Sequence, residues 1–144
     1  MQTVNQLLQA KGYDVWSVPP DANIFDALRL MADKDVGALL VLEGGKVVGI
    51  FSERDYARKI VLHGKASRDT PVAEVMTRRV FYVRPDQTIE DCMALMSDKH
   101  IRHLPVIQDG ALVGVISIGD VVKSIISEQQ FMIEQLEQYI TSSG

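Results

Sequence analysis

Apolar positions recur along this chain in two rhythms. Ile24, Ala27, Leu28 and Met31 are spaced for one face of a helix, and so are Ile89, Cys92, Met93 and Met96. Asn23 and Thr88 stand where N-caps belong, with Asp26 and Asp91 three residues later in a capping-box pattern. A short extended piece, Val15–Val18 or Val80–Val83, precedes each helix and runs into a turn at Pro20 or Pro85. Two apolar runs follow each helix, joined by Glu43-Gly44-Gly45 or Gln108-Asp109-Gly110, which predicts a hairpin. The second run ends at Ser52 or Ser117, where a further helix begins. The order β-α-β-β-α is therefore expected twice, with Val61–Arg79 as connector. In the second copy the last helix is expected to continue through Phe131, Met132, Leu136, Tyr139 and Ile140, an extension the first copy lacks.

The two copies are homologous. A shift of 65 places Val15–Ile60 on Val80–Ile125 without a gap, and 18 of 46 positions are identical, too many for composition to explain. A weaker echo precedes each copy, Val4–Leu7–Leu8 matching Val72–Val75–Met76. The expected class is α/β with mixed sheets, two repeats packed with pseudo-two-fold symmetry. Boundaries in chain order give 1–63 for the first repeat with an N-terminal helix, and 64–144 for the second with the connector and helical extension. A half of about 60 residues is marginal alone, so the halves are expected to share one core as one compact module.

Composition narrows the function classes. The chain has 144 residues, 47% hydrophobic and 24% charged, the balance of a globular protein. Its net charge of −4 disfavours broad attraction to nucleic acid or anionic lipid, so any phosphate must be held by a local basic cluster. The longest apolar run, Ala38–Leu42, is far short of a membrane span, and Met1–Gly12 lacks the apolar stretch of a secretory signal. The single cysteine, Cys92, excludes an internal disulfide. A cytoplasmic protein is expected.

Two heptads carry the candidate chemistry: Gly49-Ile50-Phe51-Ser52-Glu53-Arg54-Asp55 and Gly114-Val115-Ile116-Ser117-Ile118-Gly119-Asp120. A Ser-x-x-Asp that closes a strand and opens a helix is a capping box. The same turn exposes free N–H groups at a positive dipole end, where a phosphate can settle. A nearby carboxylate repels phosphate but suits a ribose, whose two vicinal hydroxyls can donate to it. Capping and binding are compatible.

The duplicated heptads, with Ile101-Arg102-His103-Leu104-Pro105-Val106 and Val75-Met76-Thr77, resemble a tandem CBS-domain pair, the regulatory module named after cystathionine β-synthase. The resemblance runs from Val4 to about Ile126. It implies that Asp55 and Asp120 hold the ribose hydroxyls of an adenine nucleoside, with Ser52 and Ser117 near the ribose or phosphate. It places the adenine against the strand entries around Val36, Gly37, Ala38 and Ile101, and the phosphates in the cleft between the halves. AMP, ADP or ATP is the implied ligand, with NAD or S-adenosylmethionine as the alternative. The implied role is a sensor, a homodimer that reports to an unidentified protein through the arrangement of its repeats. A constitutive dimerisation scaffold with vestigial pockets stays open.

The copies differ where phosphate would bind. The first copy has Arg54 where the second has Gly119, and the second has Arg102, His103 and Pro105 where the first has Gly37, Ala38 and Leu40. Arg54, Arg102 and His103 are therefore candidate phosphate ligands, since guanidinium forks match phosphate oxygens. His100 and His103 lack further metal-ligand partners nearby in sequence, and no metal is expected. Cys92, Met31, Met93 and Met96 are expected in the core. No P-loop, dinucleotide fingerprint, zinc-protease motif or nucleophile elbow is present, so no enzymatic activity is expected.

Overall fold

A computed structural model describes residues 2–64 and 67–143. The helices are α1 (Val4–Lys11), α2 (Ile24–Lys34), α3 (Glu53–Asp55), α4 (Ile89–Lys99) and α5 (Ile118–Ser143). The strands are β1 (Ser17–Val18), β2 (Ala38–Glu43), β3 (Lys46–Ser52), β4 (His103–Gln108) and β5 (Ala111–Ser117). This is the mixed α/β class that the two rhythms predict. The connector includes Lys65 and Ala66, which lie outside the described residues.

The chain divides into two compact units. One comprises Met1–Tyr13, Val83–Gln108 and Val113–Gly144; the other comprises Asp14–Tyr82 with Asp109–Leu112. Chain order assigned the N-terminal helix to the first repeat and the connector to the second, and the packing groups both the other way. Each repeat is completed by the segment that precedes its sister. In the second-repeat unit, Thr3 bridges Thr88, and the Val4 and Asn5 N–H groups donate to Gln87 and Pro85 at 2.8 and 2.9 Å. In the first-repeat unit, Asn23 bridges Pro71, and the Val72 N–H donates to Ala22 at 2.7 Å. The residues of the weak echo, Val4, Leu7 and Leu8 with Val72, Val75 and Met76, are all buried. Their apolar rhythm is what these backbone contacts bring into the two cores.

Local chemistry explains the elements. The side chains of Asn23 and Thr88 accept from the Asp26 and Asp91 N–H groups, and Asp91 also accepts from the Thr88 N–H, which closes the box expected there. Asp35 and His100, both left-handed at φ 54° and 55°, end α2 and α4 and turn the chain into β2 and β4. In the first-repeat unit β1 runs parallel to β2, which pairs antiparallel with β3. In the second-repeat unit the expected strand Val80–Val83 shrinks to one parallel bridge between Val83 and Val106 beside the β4–β5 pair. The helix expected after Ser52 is α3 followed by a π-helical stretch, Tyr56–Val61.

The first-repeat core gathers Ile24, Ala27, Met31, Leu39, Val41 and Phe51 with Val72 and Met76. In the other unit Ile89, Cys92, Met96, Leu104, Val106 and Ile116 are buried. Met93 departs from the core expectation. It is 36% exposed, on the outer edge of the stripe that buries Ile89, Cys92 and Met96. From Ile126 onward α5 leaves its apolar side chains exposed, Phe131, Met132, Ile133, Leu136, Tyr139 and Ile140 among them.

Candidate functional site

Each Ser-x-x-Asp box closes where a β-strand hands over to a helix. In the first-repeat unit the Ser52 N–H and hydroxyl donate to Asp55 Oδ2 at 3.0 and 3.1 Å, and Ser52 Oγ accepts from the Asp55 N–H at 3.2 Å. The other carboxylate oxygen, Oδ1, accepts from the Thr77 hydroxyl at 3.2 Å and pairs with Lys59 at 3.1 Å. Asp55 is 8% exposed, so these partners compensate a largely desolvated charge. The Glu53 N–H donates to the Gly37 carbonyl at 3.1 Å, which seats the entry of β2 against the box.

The second-repeat unit repeats this frame with different chemistry. The Ser117 N–H donates to Asp120 Oδ2 at 2.8 Å, and Ser117 Oγ accepts from the Asp120 N–H at 3.1 Å. The Ile118 N–H donates to the Arg102 carbonyl at 2.8 Å, the counterpart of the Glu53–Gly37 bond. Asp120 has no Lys59 equivalent, because Ser124 occupies that place and donates its hydroxyl to Gln2. Instead the Lys11 ammonium meets Asp120 Oδ2 at 2.6 Å. Burial works against the Asp120 charge, but the bonds from Lys11 and Ser117 outweigh it and hold the carboxyl below its ordinary range. His103 lies in the same field. Burial lowers its pKa, Asp120 opposes that, and the Lys11 and Arg102 charges add to the lowering.

The structure thus brings Gly37 to Ser52 and Asp55, and Arg102 and His103 to Ser117 and Asp120. Val36, Ala38 and Ile101 are half-buried at the strand entries. Arg54 is exposed on α3. Pro105 is buried within β4, where its carbonyl accepts from the Val83 N–H at 3.1 Å. Sequence reasoning missed Lys59, Thr77 and Lys11 as partners of the two carboxylates. Lys59 was legible as an i, i+4 partner of Asp55. Lys11 carried no local signal, because 109 residues separate it from Asp120. Cys92 is fully buried, and burial next to Asp91 pushes its thiol up to about 11, which leaves it unreactive.

The paired glycines of the heptads have a packing role. A Cβ on Gly49 would fall 2.5 Å from Met76 Sδ and 3.1 Å from the Thr77 carbonyl oxygen. The matching position, Gly114, receives Leu8. The glycine that opens each heptad therefore admits the preceding segment against the strand that ends in the box.

The CBS domain model matches residues 10–62 and again 72–127. The chain belongs to the CBS domain family. It carries two CBS repeats, as the internal homology requires. The CBS domain-containing protein CBSX3, mitochondrial, of Arabidopsis thaliana is 36% identical over 148 residues, covering 96% of this chain and 71% of that protein. A solved protein with CBS domains from Burkholderia ambifaria is 49% identical, with a TM-score of 0.86 over 89% of this chain and 96% of that one. The CBS domain pair of MJ0100, solved with 5′-methylthioadenosine and S-adenosyl-L-methionine, shares the fold at 22% identity and a TM-score of 0.78, covering 89% of this chain and 98% of that one. Among the described residues no helix of this CBS pair is long and apolar enough to cross a membrane.

Proposed function

We propose that this CBS pair is a cytoplasmic regulatory module that binds an adenosine-containing ligand, AMP, ADP or ATP, and performs no chemistry of its own. The observation that carries this reading is the paired strand-to-helix box. Each places a carboxylate beside a serine hydroxyl and the backbone of a neighbouring strand entry. Asp55 and Asp120 take the ribose hydroxyls, Ser52 and Ser117 support the sugar or phosphate, and Val36, Gly37, Ala38 and Ile101 flank the adenine. Arg54, Arg102 and His103 supply charge to the phosphates. Pro105, in β4 two residues beyond His103, completes the nucleotide-binding set. Ligand binding shifts the population of conformations that a partner protein reads, limited by its differential affinity for them.

S-adenosylmethionine is the second reading, because the same carboxylate accepts any adenosyl ribose and MJ0100 holds that ligand on this fold. A thermal melt against a panel of adenosine, AMP, ADP, ATP, NAD and S-adenosylmethionine tests both. A ligand at 100 times its Kd adds about 2.7 kcal/mol to stability. No shift with any member of the panel overturns the reading and leaves a scaffold.

The module is a homodimer in this reading. Ile126, Ile133 and Ile140 are seven residues apart on α5, and the alternate positions of the same heptad frame hold Val122, Gln129 and Leu136, so five of these six seam positions are apolar. All five are exposed. An apolar seam with a seven-residue period is self-complementary, so the occupant is α5 of a second copy.

A further inference from the structure

Lys11 enters the second-repeat site from outside the repeat pattern. It is the last residue of α1, and its ammonium donates to Asp120 Oδ2 at 2.6 Å and to the Val115 carbonyl at 2.9 Å. Val115 lies in β5 and Asp120 in the first turn of α5, on either side of the handover at Ser117. The helix that presents Lys11 is itself well anchored. Thr3 and Gln6 form a reciprocal capping box at its start, and Leu8 packs against Gly114. The lysine stem is long and flexible, and the pair is partly open to solvent, with side chains 31% and 24% exposed. The ammonium can therefore move while α1 stays in place.

The first-repeat site is built otherwise. Asp55 is held by Lys59 from its own helical segment and by Thr77, and Gly37 and Ala38 stand where the second site has Arg102 and His103. In the second-repeat box Lys11 binds the carboxylate, His103 lies in the field of Asp120 and Lys11, and the Arg102 backbone carbonyl is bonded to the turn.

The geometry points to Lys11 as a specificity-determining residue of the second-repeat site: it covers Asp120 when the site is empty, and on entry of a phosphate-bearing nucleoside yields the carboxylate to the ribose and turns its ammonium to the phosphate. The inference rests on the proposed role of Asp120 as ribose acceptor. A neutral nucleoside must break the Lys11–Asp120 pair and offers the ammonium nothing in return. A nucleotide breaks the same pair and replaces it with a charge-assisted contact to phosphate. Lys11 thus acts against adenosine and in favour of AMP at one site.

The experiment is a titration of the full chain and of Lys11→Met with adenosine and with AMP at low salt. It is read at this site through the imidazole resonance of His103, assigned with His103→Gln. Methionine keeps the stem and removes the charge. The expected result has opposite signs: adenosine binds several-fold tighter and AMP about tenfold weaker, the order of one charge-assisted hydrogen bond. Lys11→Arg keeps the charge, should retain the preference for AMP, and serves as the test if Lys11→Met fails to fold. Shifts of the same sign for both ligands, no shift, or loss of the AMP preference in Lys11→Arg overturns the inference while leaving Asp120 as a binding residue. Absence of adenosine and AMP binding by the unaltered protein overturns both.

Discussion

Leu8 fills the space that the missing side chain of Gly114 leaves: a Cβ on Gly114 would stand 2.9 Å from Leu8 Cδ2. That contact seats the N-terminal helix on the strand that ends in Ser117, and so fixes where Lys11 reaches Asp120. Met76 and Gly49 repeat it in the other unit, with less room. Gly49→Ala should therefore destabilise the protein by about 1–3 kcal/mol, as overpacking does, and Gly114→Ala by less, because Leu8 has only side-chain atoms to move. Chemical denaturation of both variants checks the order. A neutral Gly49→Ala would mean that the Met76 segment is not held against β3.

The two carboxylates should separate in ligand-free and ligand-bound measurements. Asp55→Ala removes a capping box and the partner of Thr77 and Lys59, and should cost about 1–2 kcal/mol of stability without ligand. Asp120→Ala removes a carboxylate more exposed than Asp55, 24% against 11%, and should cost less. Each should weaken an adenosine ligand at its own site by about ten- to a few-hundredfold, since each removes charge-assisted bonds to ribose. Calorimetric titration beside ligand-free melts reads both effects. Lower melting temperatures with unchanged affinity would reduce the boxes to helix caps.

Acid should act through His103 first. Its pKa in the folded protein lies below the ordinary 6.5, chiefly because burial disfavours the charged imidazole. The unfolded chain then binds the proton more readily, so the His103 contribution is complete above pH 6.5 and is lost as pH falls through the folded value. Asp120, also depressed, adds a second loss that begins below its ordinary 3.8. Melting temperature followed from pH 8 to pH 5 should fall in the lower part of that range, and His103→Gln should reduce the slope. An unchanged slope would place the sensitivity elsewhere.

Phosphate contacts should be salt-sensitive and sugar contacts much less so. Arg54→Ala and Arg102→Ala should weaken ATP more than adenosine, with the difference shrinking as ionic strength rises, because exposed charges are screened. Titrations at two salt concentrations measure it. Equal losses for ATP and adenosine would remove these arginines from the phosphate end.

Truncation after Ser127 removes Ile133, Leu136 and Ile140 from the α5 seam. Sedimentation should show a dimer for the full chain and a weakened one for the truncated form. A full-length monomer at tens of micromolar would refute self-pairing, and an unchanged dimer after truncation would move the interface off the tail.

The sequence by itself determined the repeat, the element order and the two boxes. Those features are local or periodic: a capping box spans four residues, an amphipathic helix repeats its pattern every turn, and a 65-residue shift superimposes one copy on the other. The tertiary structure decided which segment completes which repeat. Val4, Leu7 and Leu8 announce only that they need burial, and nothing local says whether Gly49 or Gly114 receives Leu8. It also decided that Met93 faces out, since the edge of an apolar stripe is buried only where a neighbour covers it. The partners of the carboxylates divide in the same way. Lys59 reaches Asp55 along one helical segment and could be read from spacing, whereas Lys11 reaches Asp120 only because Leu8 packs on Gly114 and carries the end of α1 to the second box. An ion pair between residues so far apart in sequence exists only once the backbone between them has folded.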